Sequence, residues 1–401
     1  MPAAINPAVM KNKILFFLKK KKPVIASFLR KLPFSYTFIR IPKKRILLKD
    51  TLSYFEVQNS DKDFFISGES GIIDIAPAKC LNMPVQGTKI HYKPDDFFMS
   101  LSNARYYHPF SSVISKEGYQ IALVSNNQVN TQKEHTLFQA LYIPSPNKSK
   151  NTGLVLSTSD DNNYYHCLFQ IPPKIWTLEK YGYDISGINH FFLELSGLPF
   201  QKEILSALNI SRDKIVDLGN YKLIEAEQLL LTPAFEKPEP WICERIRLLF
   251  LNSTVKNINY PGKIYVSRKW ARFRKLLNET EFIESISKFN FQLVCTEGMS
   301  IEQQAALFDG AETVIAPHGA GLANIVFCKK NAVIIELRAK SHTGELANVY
   351  EHLSGVLQLK HYTYVCDEYM NEFGKRAIYL DLSVNIPEFE KLYLSVLANQ
   401  I

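Results

Sequence analysis

The sequence has few cysteines, and none of the six belongs to a C-x-x-C pair. Scattered single cysteines provide neither zinc-ligand spacing nor a recognisable disulfide framework. They are typical of free thiols in a reducing compartment. We therefore predict a cytoplasmic protein without structural zinc. Its cysteines are Cys80, Cys167, Cys243, Cys295, Cys328 and Cys366.

Acidic residues are absent from the first 49 positions, which hold ten lysines and three arginines. Removing these 13 from the 47 basic residues of the chain leaves 34, against 39 acidic residues. The basic excess therefore belongs to this segment alone. Residues 50–401 therefore carry a net negative charge and lack the basic surface expected of a nucleic-acid-binding domain. We exclude nucleic acid as a partner on this ground.

Long hydrophobic runs are also missing from the N-terminal segment, where they reach seven residues at most. A membrane-spanning helix needs about 20, and four lysines at positions 19–22 interrupt any signal-peptide pattern. Short apolar clusters among lysines suit an anionic membrane surface, to which each lysine contributes on the order of 1 kcal/mol. This interpretation predicts peripheral contact with the inner face of the plasma membrane. A basic tail whose amphipathic helix packs on the body is the alternative.

Two domains are predicted, because single cores rarely grow beyond about 250–300 residues. Residues 50–160 alternate short runs of Phe, Tyr, Ile and Val with turn residues, which indicates strands. Three prolines at positions 233–240 mark a linker. The predicted parts are a basic amphipathic segment (1–49), an N-terminal acceptor-side domain (50–240) and a C-terminal Rossmann-like domain (241–401), whose last helix is free to pack back on the N-terminal domain.

Strand-like and helical segments alternate after the linker. Strands are expected near 263–268, 291–295, 313–317, 332–337 and 359–365, and helices near 279–289, 300–309 and 345–353. Strands joined by helices of about ten residues imply right-handed crossovers and a parallel sheet with helices on both faces. Ligands of such sheets bind beyond the carboxyl ends of the strands.

Candidate ligand-binding residues lie at several of these strand ends. Gly319 and Gly321 would allow a sharp turn, and the helix after them would direct its free N–H groups at an anion. Arg268, Arg272 and Arg274 offer fixed cations for a diphosphate. Each feature alone has a structural explanation, but their convergence on one sheet edge favours a nucleotide-diphosphate site.

Two other nucleotide-binding classes fit poorly. In a nicotinamide-binding Rossmann unit a third glycine would stand where Asn324 stands, and the turn would follow the first strand rather than the third. The sequence also has no G-x-x-x-x-G-K-[ST] motif, so it lacks the P-loop of many nucleotide hydrolases.

Several of these motifs resemble glycosyltransferase family 61. They are SRKWAR at 267–272, NE at 278–279, APHGAGL at 316–322 followed by Asn324, IIEL at 334–337, and NYYHCLFQIPP at 163–173. The resemblance implies an α/β, GT-B-like fold: two Rossmann-like lobes with a central cleft, the N-terminal lobe carrying extra β-strands. It also implies inverting transfer from a nucleotide-sugar donor, typically a UDP-sugar, without an essential metal or any other cofactor. Bacterial members act in capsule or lipopolysaccharide assembly, so the expected acceptor is a glycan or lipid-linked glycan.

We assign donor binding to the residues around the strand ends. Arg268 and Arg272 would stabilise the leaving diphosphate with the amides of the glycine turn, and Glu336 would accept ribose hydroxyl protons. The full predicted set is Arg268, Arg272, Thr296, Glu297, His318, Gly319, Ala320, Gly321, Leu322, Asn324 and Glu336.

The general base on the acceptor side is less clearly defined. In the family pattern an acid stands four residues after the histidine of the upstream helix, but here that position is Gln170, which takes up no proton. His166, Asp160 or Asp161 would then serve as the base, with Asn163 and Gln170 supporting the cleft. A nucleotide-sugar-binding partner without catalytic activity is the alternative that Gln170 favours.

Overall fold

A computed structural model describes residues 97–116, 118–121, 144–251, 261–344, 347–374 and 376–398. It also describes five short strands before residue 97. These are β1 (Lys44–Ile46), β2 (Phe64–Ile66), β3 (Gly71–Asp74), β4 (Lys79–Cys80) and β5 (Lys89–Tyr92). Most of the basic segment, and with it the predicted membrane contact, lies outside the described residues. None of the described helices is long and apolar enough to cross a membrane.

The N-terminal domain is built on a mixed nine-stranded sheet, as the strand-rich pattern predicted. Its later strands are β6 (Phe97–Tyr107), β7 (Ser112–Ile114), β8 (Tyr119–Ile121), β9 (Asn147–Val155), β10 (His190–Leu193), β11 (Ile215–Asp217) and β12 (Leu223–Leu231). The strand order is β1-β8-β7-β6-β12-β9-β10-β11, with β2 on β6. β1 thus belongs to this sheet, although the sequence placed it in the basic segment.

Part of this sheet is a parallel βαβαβ unit. Strands β9, β10 and β11 are parallel and are connected by α1 (Tyr164–Lys180) and α2 (Pro199–Ala207). The Asn163 side chain caps α1 by accepting from the Tyr165 N–H at 2.9 Å, which satisfies one of the free donors of the first turn.

The C-terminal domain has the predicted alternation of strands and helices. Its strands are β13 (Lys263–Val266), β14 (Gln292–Val294), β15 (Thr313–Pro317), β16 (Val333–Ala339), β17 (Lys360–Tyr369) and β18 (Asp381–Ser383). Its helices are α3 (Pro240–Phe250), α4 (Glu279–Ser287), α5 (Ile301–Gly310), α6 (Val349–Val356) and α7 (Ile386–Ala398). The sheet order is β14-β13-β15-β16-β17-β18, with β4 also on β17. All these strands are parallel except β18.

Alternate residues of the central strands face two different hydrophobic cores. Ile334 belongs to a core that also contains α1 residues such as Phe169, so this core is continuous across the linker. Ile335 belongs to the opposite core with Phe282 of α4 and Phe389 of α7. The rings of these two phenylalanines are 4.9 Å apart. The last helix therefore packs on the C-terminal sheet and not back on the N-terminal domain.

The helix after the glycine turn is a 3₁₀ helix, Ala320–Phe327, and not the α-helix that the pattern suggested. Every residue from Leu322 to Phe327 is buried, and the segment packs against α1, α5 and α6. Tertiary packing fixes so short a segment more strongly than helix propensity does. Its first N–H groups still lie at the sheet edge where the ligand was expected.

Candidate active site

Arg268 and Gly319 meet at the carboxyl edge of the C-terminal sheet. Arg268 follows β13, Gly319 follows the adjacent strand β15, and a Cβ on Gly319 would stand 2.6 Å from the Arg268 Cζ. The φ of Gly319 is 164°, which is ordinary extended backbone, so the glycine serves this close approach and not an unusual turn. For Gly321 the nearest atom to such a Cβ would be 3.8 Å away. The expected steric need for glycine at position 321 is therefore absent.

Two guanidinium groups at this edge lack an acidic partner among the described residues. Arg268 Nη2 donates to the Phe273 carbonyl at 3.2 Å, and the Arg274 guanidinium lies 5.2 Å from the centre of the Phe273 ring. The Nε atoms of both arginines are buried and have no hydrogen-bond partner in this part of the structure. Buried charged groups without a compensating partner are costly, so these two half-buried arginines are candidates for binding an anion.

The backbone and the electrostatics of Arg274 support the same conclusion. Its φ is 59°, a left-handed conformation that side chains other than glycine adopt rarely and often at functional sites. Burial and the neighbouring Arg268 lower the pKa of Arg274 to about 10. Burial likewise lowers the pKa of Arg268, although Tyr350 and Glu297 oppose the shift. Because the two positive charges of Arg268 and Arg274 repel each other, a ligand with two negative charges would stabilise both.

A chain of buried polar side chains lies behind these arginines. His318 Nδ1 hydrogen-bonds one oxygen of Glu336, and His361 Nε2 lies 3.0 Å from the other oxygen. His361 Nδ1 is 2.8 Å from the Ser354 hydroxyl of α6. Glu336 is fully buried. Burial by itself would raise its pKa, but His318 and His361 hold that pKa well below its usual range.

Aromatic and histidine rings surround His318 on its other sides. The His342 ring centre is 4.4 Å away and meets His318 edge to face, and the Tyr350 ring centre is 5.1 Å away. Burial lowers the pKa of His318. Burial, with His318 and Arg274, lowers the pKa of His342 to about 4. Burial therefore favours the neutral form of both imidazoles.

The structure corrects the expected roles of two donor-site residues. Glu336 was expected to meet ribose hydroxyls, but it is buried and both its oxygens are occupied by histidines. Asn324 is also fully buried: its Oδ1 accepts from the Tyr164 hydroxyl at 2.7 Å, and its Nδ2 donates to Gln304 at 2.7 Å. Asn324 therefore ties the 3₁₀ helix to α1 and α5 and has no free group for a donor.

The other predicted donor residues differ in their distance from this edge. Arg272 is exposed, and its guanidinium lies 4.7 Å from the centre of the Phe373 ring. It therefore does not join Arg268 and Arg274. Glu297 is exposed but close enough to Arg268 to affect its pKa. Thr296 is half-buried at the same strand end, and in the 3₁₀ helix Ala320 and Gly321 are half-buried and Leu322 is buried.

His166 lies on α1, on the N-terminal side of the site. It is half-buried, and its Nδ1 has no hydrogen-bond partner among the described residues. Burial lowers its pKa, against the opposing effects of Asp160, Asp161 and Gln170. Gln170 is buried, and its Oε1 accepts from the Ser159 N–H at 2.9 Å. The lowered pKa favours the neutral imidazole that a general base requires, although the unpartnered Nδ1 is itself buried.

The two aspartates that precede α1 have different environments. Asp160 is exposed and accepts from the Asn162 N–H at 3.1 Å. Asp161 is buried and accepts from the N–H and hydroxyl of Thr158, the Ser157 hydroxyl and the Glu194 N–H. Burial raises its pKa, although these donors oppose the shift. With every oxygen occupied, Asp161 has the contacts of a structural residue that fixes the turn after β9.

A possible metal-ligand group surrounds Asp161. Ligand atoms of His108, Asp161 and Glu194 lie within 4.8 Å of one another. His108, however, already hydrogen-bonds Ser157 at 3.2 Å and Glu194 at 2.8 Å. The protein thus satisfies these groups itself, and a cation would have to displace existing hydrogen bonds.

Sequence reasoning did not assign site roles to His342, Tyr350, Ser354 or His361. They come from segments outside the recognisable motifs, and only the parallel pairing of β16 with β17 brings His361 beside Glu336. Arg274 was named as a cation but left out of the assigned donor set.

This geometry defines an α/β domain with two arginines that lack an acidic partner among the described residues at one strand edge. Residues 164–335 match the family model described as Glycosyltransferase 61, which confirms over this stretch the resemblance that the motifs indicated. The chain is 31% identical over 110 residues to beta-1,2-xylosyltransferase XAX1 of Oryza sativa subsp. japonica. It is 30% identical over 139 residues to the EGF domain-specific O-linked N-acetylglucosamine transferase of Drosophila melanogaster.

The alignments cover only part of each protein. They include 27% and 32% of this chain, and 19% and 26% of the rice and fly proteins, respectively. The chain thus spans about a fifth to a quarter of the length of these relatives.

Proposed function

We propose that the protein is a glycosyltransferase that moves a sugar from a nucleotide diphosphate donor to a glycan acceptor. The observation that carries this proposal is the pair of guanidiniums without an acidic partner among the described residues, Arg268 and Arg274, of which Arg268 lies against Gly319 at the start of the 3₁₀ helix. The family match over residues 164–335 and the sugar-transferase names of both relatives support it.

The proposed reaction is a single in-line displacement with inversion at the anomeric carbon. As the glycosidic bond breaks, negative charge grows on the leaving diphosphate and must be stabilised. Arg268 and Arg274 carry two positive charges, which match the charge of a diphosphate without help from a divalent cation. We therefore propose a metal-independent enzyme of GT-B type whose donor, by family resemblance, is a UDP-sugar.

The acceptor and the cellular setting are proposed from the sequence. A basic N-terminal segment suits an enzyme that meets a growing surface glycan, such as capsule or lipopolysaccharide, or a lipid-linked glycan at the inner face of the plasma membrane. Both named relatives are eukaryotic, so the bacterial setting remains a prediction.

Calorimetric titration of the full chain with UDP, GDP and CMP tests the donor site. We expect UDP to bind and Arg268→Ala to weaken it about 10- to 150-fold, since a hydrogen bond to a charged group contributes roughly 1.5–3 kcal/mol. Arg212→Ala is the matched control: it removes the same charge from an exposed position of the N-terminal domain. Equal affinity in the two variants would contradict the proposed site.

A transfer assay then separates the two proposed roles. The purified chain is incubated with UDP-xylose or UDP-N-acetylglucosamine and a panel of glycan acceptors. Product formation supports the enzyme. Donor binding without product on any acceptor would support the alternative of a non-catalytic partner in polysaccharide assembly, which Gln170 favours because its amide takes up no proton.

A further inference from the structure

The buried chain Ser354–His361–Glu336–His318 fixes where protons reside. Glu336 stays ionised because both its oxygens face imidazole nitrogens, and an ionised carboxylate only accepts hydrogen bonds. His318 must therefore carry its proton on Nδ1, and His361 must carry its proton on Nε2. The remaining nitrogen of His361, Nδ1, lies 2.8 Å from the Ser354 hydroxyl, which donates to it when the imidazole is neutral.

This arrangement leaves His318 with a bare Nε2. A neutral imidazole has one N–H and one lone pair, and the N–H is directed at Glu336. No partner for Nε2 occurs among the described residues. His318 immediately precedes Gly319, where an added Cβ would meet Arg268, and Arg274 is close enough to His318 to help lower its pKa, so this imidazole is a neighbour of the proposed diphosphate position.

We infer that His318 Nε2 accepts a hydrogen bond from a hydroxyl group of the bound donor, and that His361 and Ser354 are positioning residues acting through Glu336. The inference rests on the proposed function, since it names which part of a nucleotide-sugar the imidazole recognises. A lone pair repels phosphate oxygens, which are themselves acceptors, and attracts a hydroxyl donor. The hydroxyl comes from the ribose or from the transferred sugar, the two groups that flank a diphosphate.

Protonation of His318 would reverse its role. An imidazolium has N–H groups at both nitrogens, so Nε2 would then donate to the hydroxyl oxygen instead of accepting its hydrogen, and the charged ring would also attract phosphate oxygens. The charged and titratable groups facing His318 are Glu336, His342, Arg274, Arg338 and Tyr350. Only Glu336 among them favours the charged ring at neutral pH, and burial acts against it.

Nitrogen-15 NMR of histidine-labelled full chain tests the tautomer directly. The His318 signals are identified by their loss in His318→Gln. We expect Nδ1 to be protonated and Nε2 unprotonated at pH 7. In Glu336→Gln the amide both donates and accepts, so it supports one histidine in its original tautomer and inverts the other. A His318 ring with its proton on Nε2, or doubly protonated, in the wild type would overturn the inference.

The positioning residues are tested by their effect on His318, which a merely structural role would leave unchanged. Ser354→Ala removes the hydroxyl partner of His361 Nδ1 and keeps the residue small. We expect the pH at which His318 takes up its second proton to shift, and UDP or UDP-sugar affinity to fall about 2- to 10-fold, the range of one neutral hydrogen bond. An unchanged titration of His318 in folded Ser354→Ala would remove Ser354 and His361 from this role.

Two ligands distinguish the sources of the hydroxyl. If the ribose supplies it, UDP alone moves the Nε2 signal, and 2′,3′-dideoxy-UDP does not. If the transferred sugar supplies it, only UDP-xylose or UDP-N-acetylglucosamine moves the signal. Binding of these ligands with no response of Nε2 would overturn the inference and leave the proposed function standing. Failure of all of them to bind would overturn the proposed function, while the tautomer result would still hold.

Discussion

Replacing Gly319 with alanine should weaken diphosphate binding with little effect on folding. The new Cβ would stand 2.6 Å from the Arg268 Cζ, well inside van der Waals contact, so the guanidinium must move. The end of a flexible arginine moves at small cost to stability, but it would leave the position from which it meets a phosphate. Losing a hydrogen bond to a charged group costs roughly 1.5–3 kcal/mol, which corresponds to about a 10- to 150-fold higher dissociation constant for UDP.

The control for this variant is Gly187→Ala. Gly187 has no atom within 4 Å of an added Cβ and lies in a short 3₁₀ helix of the N-terminal domain. Calorimetry with UDP and a thermal melt are run on both variants. We expect both to melt close to the wild type, and only Gly319→Ala to lose affinity. Wild-type affinity in Gly319→Ala would show that the close contact between Gly319 and Arg268 has no part in binding.

Three further variants test other parts of the structure. Tyr164→Phe removes the donor to buried Asn324 and should lower the free energy of unfolding by about 1–3 kcal/mol in urea titrations; an unchanged midpoint would refute the importance of this tie between the domains. Burial lowers the pKa of Lys174 to about 8, against 10.5 when unfolded, so between these values the unfolded chain binds more protons. The free energy of unfolding of the wild type, relative to that of Lys174→Met, should therefore rise as the pH is raised from 8 to 10.5. A difference that does not change with pH would show that the pKa of Lys174 is not lowered in the folded protein. His166→Ala should slow transfer at unchanged UDP affinity, and full turnover would remove His166 from the candidate bases.

Much of the C-terminal fold is readable from its sequence because each strand is short, apolar and followed by an amphipathic helix. The strand over 313–317 matches β15 residue for residue, and Gly319 and Arg268 were both placed at the correct edge. The spacing of apolar residues in such segments distinguishes strands from helices. The alternation of strands and helices then predicts crossover connections and a parallel sheet.

Pairings between distant parts of the chain were not predictable. The sequence of β17 gives no sign that His361 will lie beside Glu336, because the register of two strands is a tertiary property. Asn324 stands within a recognisable motif, yet its contacts with Tyr164 and Gln304 give it a structural role. A motif identifies residues that matter, but burial and partners decide whether they meet the ligand.

The most direct test of the central claim is a crystal structure of the full chain with UDP bound. We predict that phosphate oxygens lie within hydrogen-bonding distance of both Arg268 and Arg274, next to the first N–H groups of the 3₁₀ helix Ala320–Phe327. A nucleotide bound elsewhere, with these two guanidiniums still unpaired, would contradict the account.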